Sequence, residues 1–294
     1  CAVINPKRKD STYPFSELAG VGITFKLVSA LNKGSLESII KKYILIAAIG
    51  TIADVVPLTD ENRAIVTMGL KMVAVNKNCG VRSLLEVSGI NEIASVSDFA
   101  FGVVPRINAA GRMENASCCV ELFAFDNVQK CKEIAERLNE LNTKRQNVEK
   151  EITESAFNII EENKLYHNNV IVVYNEGWNH GVIGIVASRL VAMFYKPVIL
   201  LTKENGIVRG SGRCPQGFSI YEALTECKDK VIQFGGHELA AGLSLEESKI
   251  DEFIDVAVNR KPYSVESVKN EIQQLMNCAK MGIGDYDFIY SMLC

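Results

Sequence analysis

From Asp126 to Asn163 the chain contains neither glycine nor proline, and Ile134, Leu138, Leu141, Val148 and Ile152 fall at helical spacing along that stretch. This predicts one long helix with a narrow apolar stripe and charged outer faces. Asp126 reads as its cap, with Gln129 at the reciprocal position. A rod of this kind suits holding two domains at a set distance. A coiled-coil dimer is the competing reading, and Arg145 in the stripe counts against it.

Ahead of the rod, apolar helical runs alternate with glycine turns up to about Phe125, the pattern of the back part of an α/β domain. Behind it the pattern changes to strand, glycine loop, helix, strand. Asn169 to Tyr174 and Lys196 to Leu201 read as a parallel pair joined by a helix from Val182 to Phe194. Ile207 to Arg213 and Ala240 to Leu245 add strands, with a helix from Ser219 to Cys227 between them. The expected organisation is therefore a first domain over 1–125, a connecting helix over 126–163, a smaller α/β domain over 164–262 and an unassigned tail over 263–294. With 294 residues and 48% hydrophobic content, two compact cores are within reach.

Four glycine-bearing segments offer phosphate-binding chemistry. Gly235-Gly236-His237-Glu238-Leu239-Ala240-Ala241-Gly242 reads as a tight turn presenting one imidazole at the end of a strand. Gly177-Trp178-Asn179-His180-Gly181-Val182-Ile183-Gly184 lies between a strand and a helix, where backbone amides make an anion site. It lacks the Lys-Ser/Thr ending of a nucleotide P-loop. Gly210-Ser211-Gly212-Arg213 sets a guanidinium after a strand, able to grip phosphate oxygens in a fork. Pro105-Arg106-Ile107-Asn108-Ala109-Ala110-Gly111-Arg112 adds two arginines and an amide among small residues. Each alone reads equally well as ordinary turn or surface chemistry; their joint occurrence is what argues for a phosphate ligand.

A net charge of −3 argues against a generally basic nucleic-acid binder, so any grip on a phosphodiester must be local. Nine cysteines without a Cys-x-x-Cys pair suit neither a disulfide framework nor a zinc ribbon. The longest apolar run, Tyr43 to Ala53, is too short to span a bilayer, and a cytoplasmic location is expected. His167 sits in a polar turn and reads as solvated, and His180 fits an exposed helix start as well as a phosphate donor. Trp178 fits either a base-stacking platform or an anchor of its loop on the core. Lys7, Arg8 and Lys9 read as solvated surface. Asp54, flanked by Ile52, Ala53, Val55 and Val56, is expensive to bury unpaired, so it reads as a metal ligand or a helix cap.

Together with Gly50-Thr51-Ile52-Ala53-Asp54-Val55-Val56-Pro57-Leu58, these segments occur in an order that resembles the single-strand-specific exonucleases of the DHH phosphoesterases, from about residue 2 to about residue 258. The resemblance implies an α/β fold: the C-terminal part of a DHH phosphoesterase domain, a long connecting helix, and a smaller α/β DHH-associated domain that binds substrate. It implies a 5′-to-3′ exonuclease of DNA repair and recombination that acts on single-stranded DNA with two Mn²⁺ or Mg²⁺ ions. It tips Asp54 toward metal and assigns catalytic roles to Asp54, His237 and Arg213. Substrate binding falls to Arg106, Asn108, Arg112, Trp178, Asn179, His180, Gly181, Ser211, Gly235 and Gly236.

Two departures limit the transfer. The Asp-x-Asp and Asp-His-His motifs that supply most metal ligands in such enzymes are expected upstream of residue 1, and no Asp-His-His occurs here, so the sequence reads as a fragment, inactive by itself. Tyr263 to Cys294 is also too short for the oligonucleotide-binding barrel expected of such enzymes. The alternatives are a short-oligonucleotide or cyclic-dinucleotide phosphodiesterase of the same superfamily, and a non-catalytic DNA-binding scaffold. Helicase or single-strand-binding protein partners have no signature in the sequence.

Overall fold

Three of the helices ahead of the rod begin where a polar side chain holds a free first-turn amide. Ser35 caps one by accepting from the Glu37 amide, Asn78 another by accepting from the Val81 amide at 2.9 Å, and Ser95 with Asp98 closes a reciprocal capping box. In chain order the helices are α1 (Gly20–Leu31), α2 (Leu36–Ala53), α3 (Asp60–Lys71), α4 (Cys79–Val87), the single turn α5 (Val96–Asp98), α6 (Val104–Met113) and α7 (Ser117–Ala124). The computed structural model describes residues 3–32, 35–90 and 94–258. The predicted tail 263–294 and residues 259–262 of the predicted second domain lie outside them.

Between α5 and α6 the backbone widens into a π-turn, Phe99–Val103. Pro105 accounts for it: it has no amide to donate, and its ring crowds the carbonyl four residues back. Phe99, Leu84, Leu122, Ile44 and Leu45 are fully buried at the centre of this part. The α2–α3 contact depends on Gly69, where a Cβ would stand 2.3 Å from that of Ala48.

The predicted rod is α8 (Val128–Glu162). Its cap lies one residue later than the sequence suggests. Asn127, not Asp126, accepts from the Lys130 amide at 3.0 Å, and Gln129 donates along the helix to Glu133 instead of closing a capping box. The chain divides into two compact units, Cys1–Lys144 and Arg145–Cys294, within this helix. Ile134, Leu138 and Leu141 belong to the first unit's core, and Ile152, Ala156 and Ile160 are buried farther along. The stripe is thus consumed inside the chain, which removes the coiled-coil reading. Arg145 sits there because it pairs with Glu149, whose side chain is only 2% exposed and also meets Arg189 at 2.5 Å.

The second unit is an α/β layer structure. Strands β1 (Ile171–Tyr174), β2 (Val198–Glu204), β3 (Ile207–Arg213), β4 (Gln233–His237) and β5 (Ala240–Leu245) form one sheet in the order β1-β2-β3-β5-β4. Only β1 and β2 run parallel, joined by the crossover helix α9 (His180–Phe194), and the other pairs are antiparallel. Helices α10 (Ile220–Glu226) and α11 (Ile250–Val258) bring Ile220, Leu224 and Phe253 into one core with Val172, Leu201, Val208 and Leu243. β4 corrects the sequence reading: Gly235-Gly236-His237 is an edge strand, and the turn is the following pair, Glu238-Leu239.

Candidate nucleic-acid interface

Strand β3 alternates between the two faces of the sheet. Val208, Gly210 and Gly212 point into the core, where Leu201, Leu243 and Ile220 leave no room for a Cβ. Arg209, Ser211 and Arg213 therefore point to the opposite face. Residues paired across antiparallel strands share a face, which continues the rows outward. Arg213 pairs with Ala240, which pairs with His237; Ser211 pairs with Gly242, which pairs with Gly235. Arg213 and His237 thus stand two strands apart, about 10 Å.

Helix α9 covers β2 and β3 on this face. A Cβ at Gly184 would come within 2.9 Å of both Arg213 Nη2 and Ser211 Oγ, so the guanidinium lies against the helix backbone. Arg213 Nη1 donates to Ser211 Oγ at 3.0 Å and to the Gly212 carbonyl at 2.7 Å. Beyond α9 the floor is bare: a Cβ at Gly235 would meet nothing within 4 Å, and one at Gly242 only the Gly210 carbonyl at 3.9 Å. Neither glycine is demanded by packing, and their effect is to let a ligand reach the sheet backbone. Gly236 differs. Its φ is +151°, and a Cβ there would stand 2.3 Å from the Ala240 carbonyl oxygen.

His237 is exposed, and its Nδ1 accepts from the Leu239 amide at 3.3 Å, which places the proton of the neutral ring on Nε2. The turn beneath it is pinned from the core. The Ile220 amide donates to the Glu238 carbonyl at 2.8 Å, the Cys214 amide to Leu239, and the Cys214 thiol to Phe218 and Glu238 carbonyls. Burial pushes that thiol up to about 11, so it acts as a donor and not a nucleophile. Gly184 and Cys214 are positioning residues that the sequence reading missed. A glycine inside an apolar helix was the only signal for the first, and there was none for the second.

Several expected site residues are placed differently. The amides of the Gly177–Gly184 loop are largely used internally: Gly177 donates to Asn175 Oδ1 and Gly181 to Asn179 Oδ1, both at 2.9 Å, while Val182 and Ile183 donate to the Asn179 carbonyl. Asn179 is a helix cap, and the open anion site expected from this loop is not formed by those amides. Trp178 is 8% exposed, an anchor and not a stacking platform. His180 is exposed at the first position of α9, and His167 lies beside Tyr166. Lys7 and Arg8 pair with Glu17 and Asp10.

In the first unit, Arg106 is an internal tie. It donates to Asn139 Oδ1 at 2.9 Å, to the Gly102 carbonyl at 2.6 Å and to the Val87 carbonyl at 3.2 Å, joining the π-turn to α8 and α4. Burial lowers its pKa. Asn108 is exposed and Arg112 half-buried one turn later on the same side of α6.

Asp54 is exposed, which overturns the premise that it is buried among apolar neighbours. It is the C-cap residue of α2, its amide donating to the Gly50 carbonyl, so it does sit at a helix terminus, with its charge facing the negative end of the helix dipole. Val55 follows at φ 53°, a left-handed conformation that suits glycine and strains a β-branched residue. A charge opposed by the helix dipole and a strained β-branched residue thus stand side by side at the end of α2. Val55→Gly is expected to stabilise the chain by about 1 kcal/mol. A denaturant midpoint that stays put or falls would show the turn to be relaxed.

Among the described residues no group of three or more His, Cys, Asp or Glu can hold a metal ion, and no helix is long and apolar enough to cross a membrane. Asp54, a hard and accessible carboxylate, fits one ligand position of a site completed by other residues.

Residues 167–260 match the DHHA1 domain. The chain is 42% identical over 253 residues to the single-stranded-DNA-specific exonuclease RecJ of Bacillus subtilis (strain 168), covering 85% of this chain and 31% of that protein. It is 36% identical over 273 residues to the protein of the same name from Dickeya dadantii (strain 3937), covering 86% and 47%. The crystal structure of RecJ in complex with Mn²⁺ from Thermus thermophilus superposes with a TM-score of 0.73 at 29% identity, over 87% of this chain and 38% of that one. The chain spans about a third to a half of the length of the curated relatives it matches.

Proposed function

We propose that this RecJ-related, DHHA1-containing chain is the substrate-binding portion of a metal-dependent, 5′-to-3′ exonuclease acting on single-stranded DNA in the cytoplasm, in repair and recombination. The observation that carries the reading is the Arg213–Ala240–His237 row beside the bare Gly242 and Gly235 floor. A cation, an imidazole N–H donor and exposed backbone flank a surface with no large side chain to bar a sugar–phosphate chain. The first domain, proposed over residues 1–125, contributes Asp54, Asn108 and Arg112. Residues 164–262 are the proposed substrate-binding domain, with α8 connecting the two.

In this reading Arg213, steadied by Ser211 and the Gly184 backbone, grips phosphate oxygens, and Asn108 and Arg112 hold the backbone farther along. His237, with Nδ1 occupied by the Leu239 amide, offers Nε2–H to an oxygen on which negative charge develops. Asp54 is one ligand of a divalent metal, Mn²⁺ or Mg²⁺, which when bound supplies water activation and charge on the leaving oxygen. A shorter-substrate phosphodiesterase would use the same contacts. The floor reaching the exposed edge strand β4, open along its length, favours a polymer.

Fluorescence anisotropy of labelled single strands with this chain, at two salt concentrations, tests the reading. Binding weakens as salt rises, and Arg213→Ala weakens it about tenfold for strands of any sequence, the value of one charge-assisted hydrogen bond to phosphate. Salt-independent binding, or binding untouched by the substitution, places the phosphate site elsewhere. In the complete enzyme Asp54→Ala removes metal-dependent turnover while leaving the fold intact; full activity at saturating Mn²⁺ would refute the ligand role.

A further inference from the structure

In the first unit the start of α4 is clamped against the end of α7. Asn78, which caps α4, donates from Nδ2 to the Phe123 carbonyl at 3.0 Å, and a Cβ at Gly80 would stand 1.8 Å from the Leu122 carbonyl oxygen. The start of α8 is fixed as firmly, with Asn127 as its cap and the Cys131 amide donating to the Asn127 carbonyl at 2.9 Å. These two backbones bring Cys79, the first residue of α4, and Cys131, in the first turn of α8, to an Sγ–Sγ distance of 2.7 Å. That is about 0.7 Å beyond a disulfide bond of about 2.0 Å. The residues are 52 apart in the chain, and no spacing rule connects them. Cys79 Sγ donates to the Phe125 carbonyl at 3.0 Å and Cys131 Sγ to the same carbonyl at 3.7 Å, weak bonds whose loss costs little. Among the described residues no third His, Cys, Asp or Glu joins them, as a metal ligand set would need.

We propose that Cys79 and Cys131 are a reversible oxidation site, a dithiol that peroxide converts to a disulfide pinning α4 to α8. The inference does not rest on the exonuclease reading. Cys79 is 7% exposed and Cys131 0%, so the oxidant must be small and Cys79 is its point of entry. Burial, with the Cys79 hydrogen bond adding to it, pushes the Cys131 thiol up to about 11, which leaves it a poor first nucleophile. The Cys79 sulfur attacks one peroxide oxygen, the O–O bond breaks, and Cys79 becomes a sulfenic acid as a water leaves. The Cys131 sulfur then attacks the Cys79 sulfur, the S–O bond breaks, and the hydroxide released takes the Cys131 proton and leaves as a second water. Two thiols are thereby oxidised by two electrons and one peroxide is reduced. Because the resolving thiol is already in reach, further oxidation of Cys79 is outrun. The bond closes a loop from α4 to α8 that contains α6 with Asn108 and Arg112, and it stabilises the first unit by removing unfolded-state freedom over that stretch.

The test exposes this 294-residue chain to equimolar hydrogen peroxide at neutral pH, blocks the remaining thiols with an alkylating reagent and maps the digested peptides by mass. A peptide pair joined at Cys79 and Cys131 forms, lighter than its separate parts by two hydrogen atoms, and a dithiol reductant restores the parts. The calorimetric melting temperature of the first unit rises by roughly 10 °C on oxidation. Cys79→Ala and Cys131→Ala each abolish the joined peptide and the rise, and in Cys131→Ala the Cys79 sulfur goes on to irreversible acids, as a thiol without its resolving partner does. Cys118→Ser, at a half-buried thiol on α7, keeps both the joined peptide and the rise. The peptide map of the wild type decides the matter where an alanine variant does not fold. Alkylation of both Cys79 and Cys131 after peroxide, cysteines joined without preference, or a joined pair that melts no higher than the reduced chain overturns the proposal.

Discussion

Glu149→Ala is expected to destabilise the second unit by about 3 kcal/mol, because removing one partner of a buried ion pair leaves the other desolvated and unpaired. Glu149 is 2% exposed and lies between Arg145, itself 13% exposed, and Arg189 of α9. Arg189 is half exposed and recovers hydration when the carboxylate is lost, so most of the cost falls on Arg145. The same region holds the Phe157–Phe194 stack, with ring centroids 5.9 Å apart, which keeps α9 on α8 by apolar contact alone and confines the damage to the ion cluster. The chain has a single tryptophan, Trp178, buried in the second unit, so its fluorescence during urea unfolding reports that unit separately from the other. Glu149→Gln, which keeps the shape and one acceptor, should recover part of the loss. A midpoint shift equivalent to less than about 0.5 kcal/mol, the range of ordinary surface substitutions, would mean that water reaches the cluster.

The same cluster shows where sequence reading reaches its limit. Arg145 stands in an apolar stripe because Glu149 lies one turn on, yet Arg189, which shares that carboxylate, lies on a separate helix and no spacing rule connects them. β3 and β5 were legible to the residue, because turn residues bound each run and its inward positions alternate. β4 was not, since two glycines in five residues give no strand propensity. It is a strand because Phe234 pairs opposite Leu243 and packs against Tyr221, with ring centroids 5.7 Å apart, a tertiary cause overriding the local one. The burial of Asp54 was misjudged because apolar neighbours in sequence were taken as neighbours in space: Ile52 faces the core, and the helix ends before Asp54 and Val55 can turn inward. Arg106 looked like a phosphate ligand because nothing local reveals that Val87, Gly102 and Asn139 converge on it. The row proposed to face phosphate was partly legible, since Ser211, Arg213, Gly235 and His237 were all named from their motifs. What the sequence could not supply is that pairing through β5 sets them on one face.

That pairing gives the two adjacent glycines opposite expected behaviour. Gly236→Ala should cost roughly 3 kcal/mol or more, since it combines strain at φ +151° with a Cβ only 2.3 Å from a backbone oxygen that cannot rotate away. The hairpin would have to unpair at Ala240 and Ala241, carrying His237 out of register with Arg213, and strand binding would fall with stability. Gly235→Ala has open space for its methyl group and should leave the unfolding midpoint within about 0.5 kcal/mol of wild type. If the floor is where the sugar–phosphate chain lies, however, that methyl occupies the ligand's position, and affinity for single strands drops about tenfold at unchanged stability, with Gly235→Leu lowering it further. Denaturant melts followed at Trp178, set beside anisotropy titrations of the same three variants, separate the two effects. Equal destabilisation by both alanines would show that β4 does not pair as described, and unimpaired binding by Gly235→Leu would move the strand off this face of the sheet.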